Sequence, residues 1–166
     1  ENPWADFANA GVDGDNIASG WFFKNADKAA NIKEEDSETA WLTTQTIDFI
    51  DKQKGPWCAH VSFIKPHWPY IVPAPYHNMY GANHVPPAKR HDIERENPHP
   101  VFGGYQLNKI AEAFQKEEVR QKVIPAYMGL IKQCDDQLGR LLEHLEKEDK
   151  MDNTMIVLTS DHGDYL

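Results

Sequence analysis

Asp161 and His162 stand side by side at the end of an apolar, β-branched run, and Gly163 follows them. A carboxylate and an imidazole offer a divalent cation mixed oxygen and nitrogen donors. The glycine lets the backbone turn so that both side chains can face one point. An Asx-type turn that merely ends a strand is the plainer reading of an isolated Asp-His-Gly, and the position after a buried-looking strand favours the metal. Asp164 could be a further ligand, and the plainer reading is a solvated loop acid. A second cluster is Lys65-Pro66-His67-Trp68-Pro69-Tyr70. Prolines on both sides of His67 restrict its backbone, so its ring can be preorganised to stabilise an anionic substrate or protonate a leaving group. Lys65 adds a positive charge to the same loop. The plainer reading of this loop is a rigid turn with an exposed His and Lys.

Other candidates carry less. His60 lies inside an apolar run and reads as a core histidine. His77, His84, His91 and His99 match no compact ligand spacing. Asp135 and Asp136 flank a helical stripe as solvated acids. Cys58 and Cys134 sit far apart within apolar stretches and read as buried thiols.

The elements that must position these residues follow from pattern. Residues 1–36 lack sustained periodicity and read as irregular. Ser37 can cap a helix over Glu38–Lys52, with Leu42, Thr46, Phe49 and Ile50 on one face. After Gly55-Pro56, residues 57–63 form a short run that reads as a buried strand. Residues 64–104 are dense in proline, histidine and tyrosine, which predicts a long, stiff, ordered and functional loop. A short helix over about 107–116 comes next. Tyr127, Ile131, Cys134, Leu138, Leu141 and Leu145 then repeat every three or four residues, the buried stripe of a long helix. Pro125 belongs near its start, and Gly139 predicts close approach to a neighbouring element. Thr154 to Thr159 is a continuous β-branched and apolar run, the pattern of a strand covered on both faces. Helix, strand, loop, long helix and strand in this order predict an α/β fold with a mostly parallel sheet flanked by helices. Ligands of such sheets gather beyond the strands' carboxyl ends, where both polar clusters lie.

The 166 residues carry 26 acidic and 17 basic side chains, a formal charge of −9. That field repels phosphate backbones, so we expect no nucleic-acid partner; no run is long and apolar enough to span a membrane. Oligomerisation stays open. The chain starts without Met and stops just after Asp161-His162-Gly163. We therefore expect one partial domain, truncated at both ends.

Together, Ser62-Phe63-Ile64-Lys65-Pro66-His67-Trp68-Pro69-Tyr70, Pro73-Ala74-Pro75-Tyr76 and the stretch from Asp152 to Gly163 resemble the sulfatase family, and more narrowly its phosphonate monoester hydrolase branch within the alkaline phosphatase superfamily. The helix starting at Ser37-Glu38-Thr39-Ala40 and the one around Asp135 and Gly139 are similar too. The resemblance implies a metal-dependent hydrolase that cleaves sulfate, phosphate or phosphonate esters, small anionic substrates, through a formylglycine nucleophile. It implies a divalent metal, calcium or manganese, with Asp161 and His162 in the place of the family's late ligand pair. It implies His67 against the transferred group or leaving oxygen, and Lys65 as a neighbouring basic residue.

Neither Cys58 nor Cys134 lies in the Cys/Ser-x-Pro/Ala-x-Arg motif from which formylglycine is made, so the nucleophile is expected outside this chain. The paired aspartates of the family's first strand are missing as well. The 166-residue piece alone is expected to be inactive. Two alternatives stand beside this reading: a phosphatase or phosphodiesterase of the same superfamily with a Ser or Thr nucleophile, and a non-catalytic binding module using the loop from Tyr70 to Pro100.

Overall fold

The computed structural model of the chain describes residues 26–107, 109–164 and 166; the aromatics Trp4, Phe7, Trp21, Phe22 and Phe23 lie outside these. Helix α1 spans Glu38–Lys52, as the pattern predicts, and the Ser37 hydroxyl accepts a hydrogen bond from Ala40 N at 3.3 Å. Its buried face is Thr39, Ala40, Thr43, Thr46 and Ile50 rather than one containing Phe49, which is exposed. Thr43 and Thr46 bury because their hydroxyls donate to the Thr39 and Leu42 carbonyls one turn back, so no polar group is left unpaired.

The expected loop is partly helical. Its first half is ordered by single 3-10 turns at Tyr76–Asn78 and Ala82–His84 and contains cis bonds at Lys65-Pro66, Trp68-Pro69 and Ala74-Pro75. Its second half folds into α2 (Ile93–Glu96) and α3 (Pro100–Gln106). Pro100 takes the first turn, where its missing N–H is harmless, and His99 caps it by accepting from Val101 N. Gly103 and Gly104, expected in the loop, thus lie inside a helix. Helix α4 spans Lys109–Phe114.

Helix α5 runs from Glu117 to Lys147, 31 residues, and starts well before Pro125. Glu117 and Glu118 favour that start through the positive end of the helix dipole. Pro125 is buried inside the helix, and the cost of its lost N–H is offset by the burial of Val119, Val123, Ala126 and Leu130 along the same helix. The deeply buried stripe is Val119, Val123, Ala126, Leu130, Gln133 and Gln137, rotated from the stripe read in sequence; of the latter, only Leu145 is fully buried and Ile131 is exposed.

Two layers meet on α5. The loop lays Tyr70, Val72 and Tyr76 against Val119, Val123, Ala126 and Leu130, which with Ala26 form the core. The tight approach is at Gly129, not Gly139: a Cβ at Gly129 would stand 2.5 Å from the Tyr76 carbonyl oxygen, while at Gly139 it would meet open space. Helix α1 packs along the other side through a polar seam. Gln133 Nε2 donates to Ser37 Oγ (2.8 Å), Arg140 Nη2 to Thr44 Oγ1 (2.9 Å), and His144 Nε2 lies 2.8 Å from Asp51 Oδ1. Both series ascend together, so α1 and α5 run parallel.

The two runs read as strands form no ladder. Among the described residues there is one isolated parallel bridge, Ala29 to Val72, and no strand. Extended backbone needs a neighbour to take its N–H and C=O groups, and neither run has one beside it among these residues. Their side chains are accordingly open: Met155 is 89% and Leu158 76% exposed. For the same reason Cys58 and His60, expected in the core, are exposed. They face an open groove of about 310 Å³ between residues 58–61 and Leu42, Thr46 and Phe49 of α1.

Candidate active site

The loop that carries Lys65 and His67 is pinned to α5 at successive points. Cys134 Sγ lies 3.4 Å from the Lys65 carbonyl oxygen, as a donor would. The Tyr70 ring packs edge-on against Tyr127 with centroids 6.1 Å apart, and the Tyr76 hydroxyl donates to Asp136 at 2.9 Å. Burial pushes the Cys134 thiol up to about 11, so it stays protonated near neutral pH. The phenol of Tyr70 is raised beyond its ordinary range, first by burial and then by its bond to Asp164.

Within this turn Lys65 Nζ donates to the Pro69 carbonyl (2.8 Å) and to that of His67 (3.4 Å), so the ammonium folds back over its own loop. The His67 ring is exposed and stacks on Trp68. Its Nδ1 is 2.6 Å from the Trp68 carbonyl oxygen, which makes Nδ1 the protonated nitrogen and leaves Nε2 to meet a ligand.

The second cluster is a tight turn. Asp161 Oδ1 accepts from the His162 backbone N–H (2.9 Å), and Ser160 Oγ donates to the His162 carbonyl (2.9 Å). His162 Nδ1 donates to the Gly163 carbonyl at 2.7 Å, and Nε2 lies 3.6 Å from Asp161 Oδ2. The His162 N–H and then the His162 charge hold the Asp161 carboxyl below its usual range; the bond to Gly163 and then Asp161 raise His162.

This donor set fits a divalent ion. A carbonyl that fixes the proton on Nδ1 turns the Nε2 lone pair outward, the arrangement found behind metal-bound histidines. Bonds to such ions are about 2.0–2.4 Å, so donors 3.6 Å apart can share one. The pair offers two donors, and among the described residues no group of three or more His, Cys, Asp or Glu could hold a metal.

The two clusters come together. The Tyr70 hydroxyl donates to Asp164 Oδ2 at 2.9 Å, joining residues 94 positions apart, and His67 is near enough for its charge to help lower Asp161. His67, Asp161 and His162 therefore share one end of the molecule, with Lys65 turned into its own loop. Sequence reasoning passed over Tyr70 and left Asp164 solvated. The available signal was a phenol between Pro69 and the apolar Ile71-Val72, which buries the ring and obliges its hydroxyl to find an acceptor. The groove at Cys58 to Val61 shares no lining residue with this site.

Comparison with known proteins decides the family, because the Sulfatase family model matches residues 7–166. The chain belongs to the sulfatase family. It is 32% identical over 158 residues to the multifunctional alkaline phosphatase superfamily protein PehA of Trinickia caryophylli, covering 84% of this chain and 30% of that protein. It is 31% identical over 147 residues to the choline-sulfatase of Rhizobium meliloti, covering 82% and 28%. Among solved structures it is similar to the phosphonate monoester hydrolase of Agrobacterium radiobacter, with TM-score 0.67 and 26% identity over 76% of this chain and 27% of that one. The phosphonate monoester hydrolase SpPMH of Silicibacter pomeroyi gives TM-score 0.65 and 28% identity over 91% and 34%. This member of the sulfatase family thus spans about a third or less of the relatives it matches.

Proposed function

We propose that the complete protein hydrolyses sulfate, phosphate or phosphonate esters at a divalent-metal centre, and that this chain contributes Asp161 and His162 as two ligands and His67 as the acid toward the leaving oxygen. The observation that carries the reading is the pairing of His162 Nε2 with Asp161 Oδ2 on a turn that Asp164 ties, through Tyr70, to the loop carrying His67. When bound, calcium or manganese would neutralise charge on the non-bridging oxygens of the ester.

The residues of this chain do the rest of its share. Asp161 and His162 hold their donor atoms in a turn closed by Ser160 and Gly163. His67 keeps its Nδ1 proton on Trp68, so the imidazolium gives its Nε2 proton to the leaving oxygen as the ester bond breaks and ends neutral. Lys65 lends positive charge while bracing the turn. The formylglycine nucleophile belongs to a part of the protein outside this chain, and the 166 residues alone should turn over nothing.

The same reading completes the fold. Parallel helices α1 and α5 are each followed by an apolar run, so the runs at 57–63 and 154–159 enter one parallel sheet when partner strands are beside them. They would then belong to one larger α/β domain, with both polar clusters at the strands' carboxyl ends.

The test is steady-state hydrolysis of an aryl sulfate and an aryl phosphonate monoester by the complete protein. His67→Ala should lower kcat by about 100-fold or more. A binding module would keep its function in that variant, and that outcome would overturn the assignment.

A further inference from the structure

Asp161 and His162 are almost fully in solvent, at 88% and 72% side-chain exposure, and the hydrogen bonds of residues 160–163 among the described residues are local to the turn. The segment before them, 154–159, has no ladder to hold it. The bonds within such a turn set its own shape, and its position relative to His67 depends on contacts that flank it. The contacts that cross to the rest of the molecule begin at Asp164, whose Oδ2 accepts from the Tyr70 hydroxyl and whose backbone bonds Tyr127, and continue at Leu166, which packs on the core. Tyr70 is a rigid anchor: it is 5% exposed, sits in the core with Val72, Val123 and Leu130, and stacks edge-on against Tyr127. Three residues before it on the same proline-braced loop is His67.

We propose that Tyr70 and Asp164 are positioning residues, a latch that sets the Asp161-His162 pair at its working distance from His67. Neither touches the reacting atoms. Tyr70 carries the geometry of the core to Asp164, and Asp164 carries it back two residues to His162. The proposal rests on the assignment of Asp161 and His162 as metal ligands.

The experiment compares Tyr70→Phe, Asp164→Ala and the double variant in the complete protein. Each is read by Mn²⁺ titration and by amide hydrogen exchange over residues 154–166. Tyr70→Phe removes one oxygen and keeps the ring, and Asp164 is exposed, so folding should survive; thermal melting checks it. The latch predicts about a tenfold loss of Mn²⁺ affinity in each single variant, in line with the loss of supporting contacts behind metal ligands. It also predicts no further loss in the double variant, and faster exchange at 160–164 with melting little changed. Unchanged affinity and exchange in both single variants overturn the latch while the metal assignment stands. Faster exchange without loss of affinity overturns it as well, since the tether would then position nothing. Absence of Mn²⁺ binding by the unsubstituted protein removes the metal assignment first, and the latch with it.

Discussion

The Tyr70 hydroxyl and the Asp164 carboxylate are joined by a 2.9 Å hydrogen bond between a core tyrosine and a surface turn. Through it the two polar clusters meet, although 94 positions separate the bonded residues. That meeting makes metal dependence a natural first prediction. Chelation of the complete protein should abolish ester hydrolysis, and calcium or manganese should restore it. Asp161→Asn should raise the metal concentration needed for half-maximal rescue by about 10-fold or more. Undiminished turnover after exhaustive chelation, verified by elemental analysis, would contradict the assignment.

Gly129 and Gly139 occupy the same helix and should respond oppositely to alanine. At Gly129 the new Cβ meets the Tyr76 carbonyl at 2.5 Å, a backbone atom that cannot swing away. Overpacking of that kind costs about 1–3 kcal/mol. At Gly139 nothing lies within 4 Å, so the better helix propensity of Ala should stabilise by about 0.5–1 kcal/mol. Denaturant unfolding of the two variants gives both signs in one experiment.

Ser37 serves two partners, Ala40 N and Gln133 Nε2. Ser37→Ala removes the α1 cap and leaves the amide of Gln133, which is 1% exposed, without that acceptor. The loss should reach about 2–3 kcal/mol, beyond the ~1 kcal/mol of an ordinary cap. A loss no larger than the cap alone would mean that Gln133 finds another acceptor.

The two thiols should separate by reactivity. Cys58 is exposed, whereas Cys134 is partly buried with its thiol pushed up to about 11 and its Sγ on the Lys65 carbonyl. Iodoacetamide near pH 8 should label Cys58 first and Cys134 only on unfolding, as peptide mass mapping would show. Equal labelling rates in the native state would mean that the turn at Lys65 does not cover Cys134.

Acid should weaken the loop's attachment at Asp136. Lys132 and then Tyr76 hold this carboxyl below its ordinary 3.8. A lowered folded-state pKa stabilises above the unfolded value and loses that contribution as pH falls from about 3.8 through the lowered value. The side chain is 40% exposed, so screening keeps the effect under about 1 kcal/mol. Asp136→Asn should flatten the acid limb of the stability profile by that amount, measured by urea unfolding from pH 5 to 2.

Elements whose signals are local were legible in the sequence. Ser37 and the Glu38 start bound α1 correctly, and Tyr70 and Tyr76 of the proline-rich loop bury against α5. What escaped depends on tertiary contact. The buried stripe of α5 is rotated because Val119, Val123 and Ala126 face a loop that periodicity cannot see, and the wrong glycine drew notice because nothing local distinguishes Gly129 from Gly139. The runs at 57–63 and 154–159 read as strands because their residues prefer a sheet, but a ladder exists only where a second strand is alongside. In the candidate site, residue types alone drew attention to Asp161, His162 and His67, while the Tyr70–Asp164 bond joins residues 94 positions apart and leaves no local pattern.

The pairing of Tyr76 with Gly129 also sets an order of events during synthesis. The loop that carries His67 emerges from the ribosome about fifty residues before the helix that covers Tyr76. At about 5–20 residues per second, Tyr70, Val72 and Tyr76 wait roughly 3–10 seconds with their apolar surfaces uncovered. Nascent chains paused in that interval are where a chaperone would find this protein, and codons between Tyr76 and Gly129 would govern how long it has to hold on.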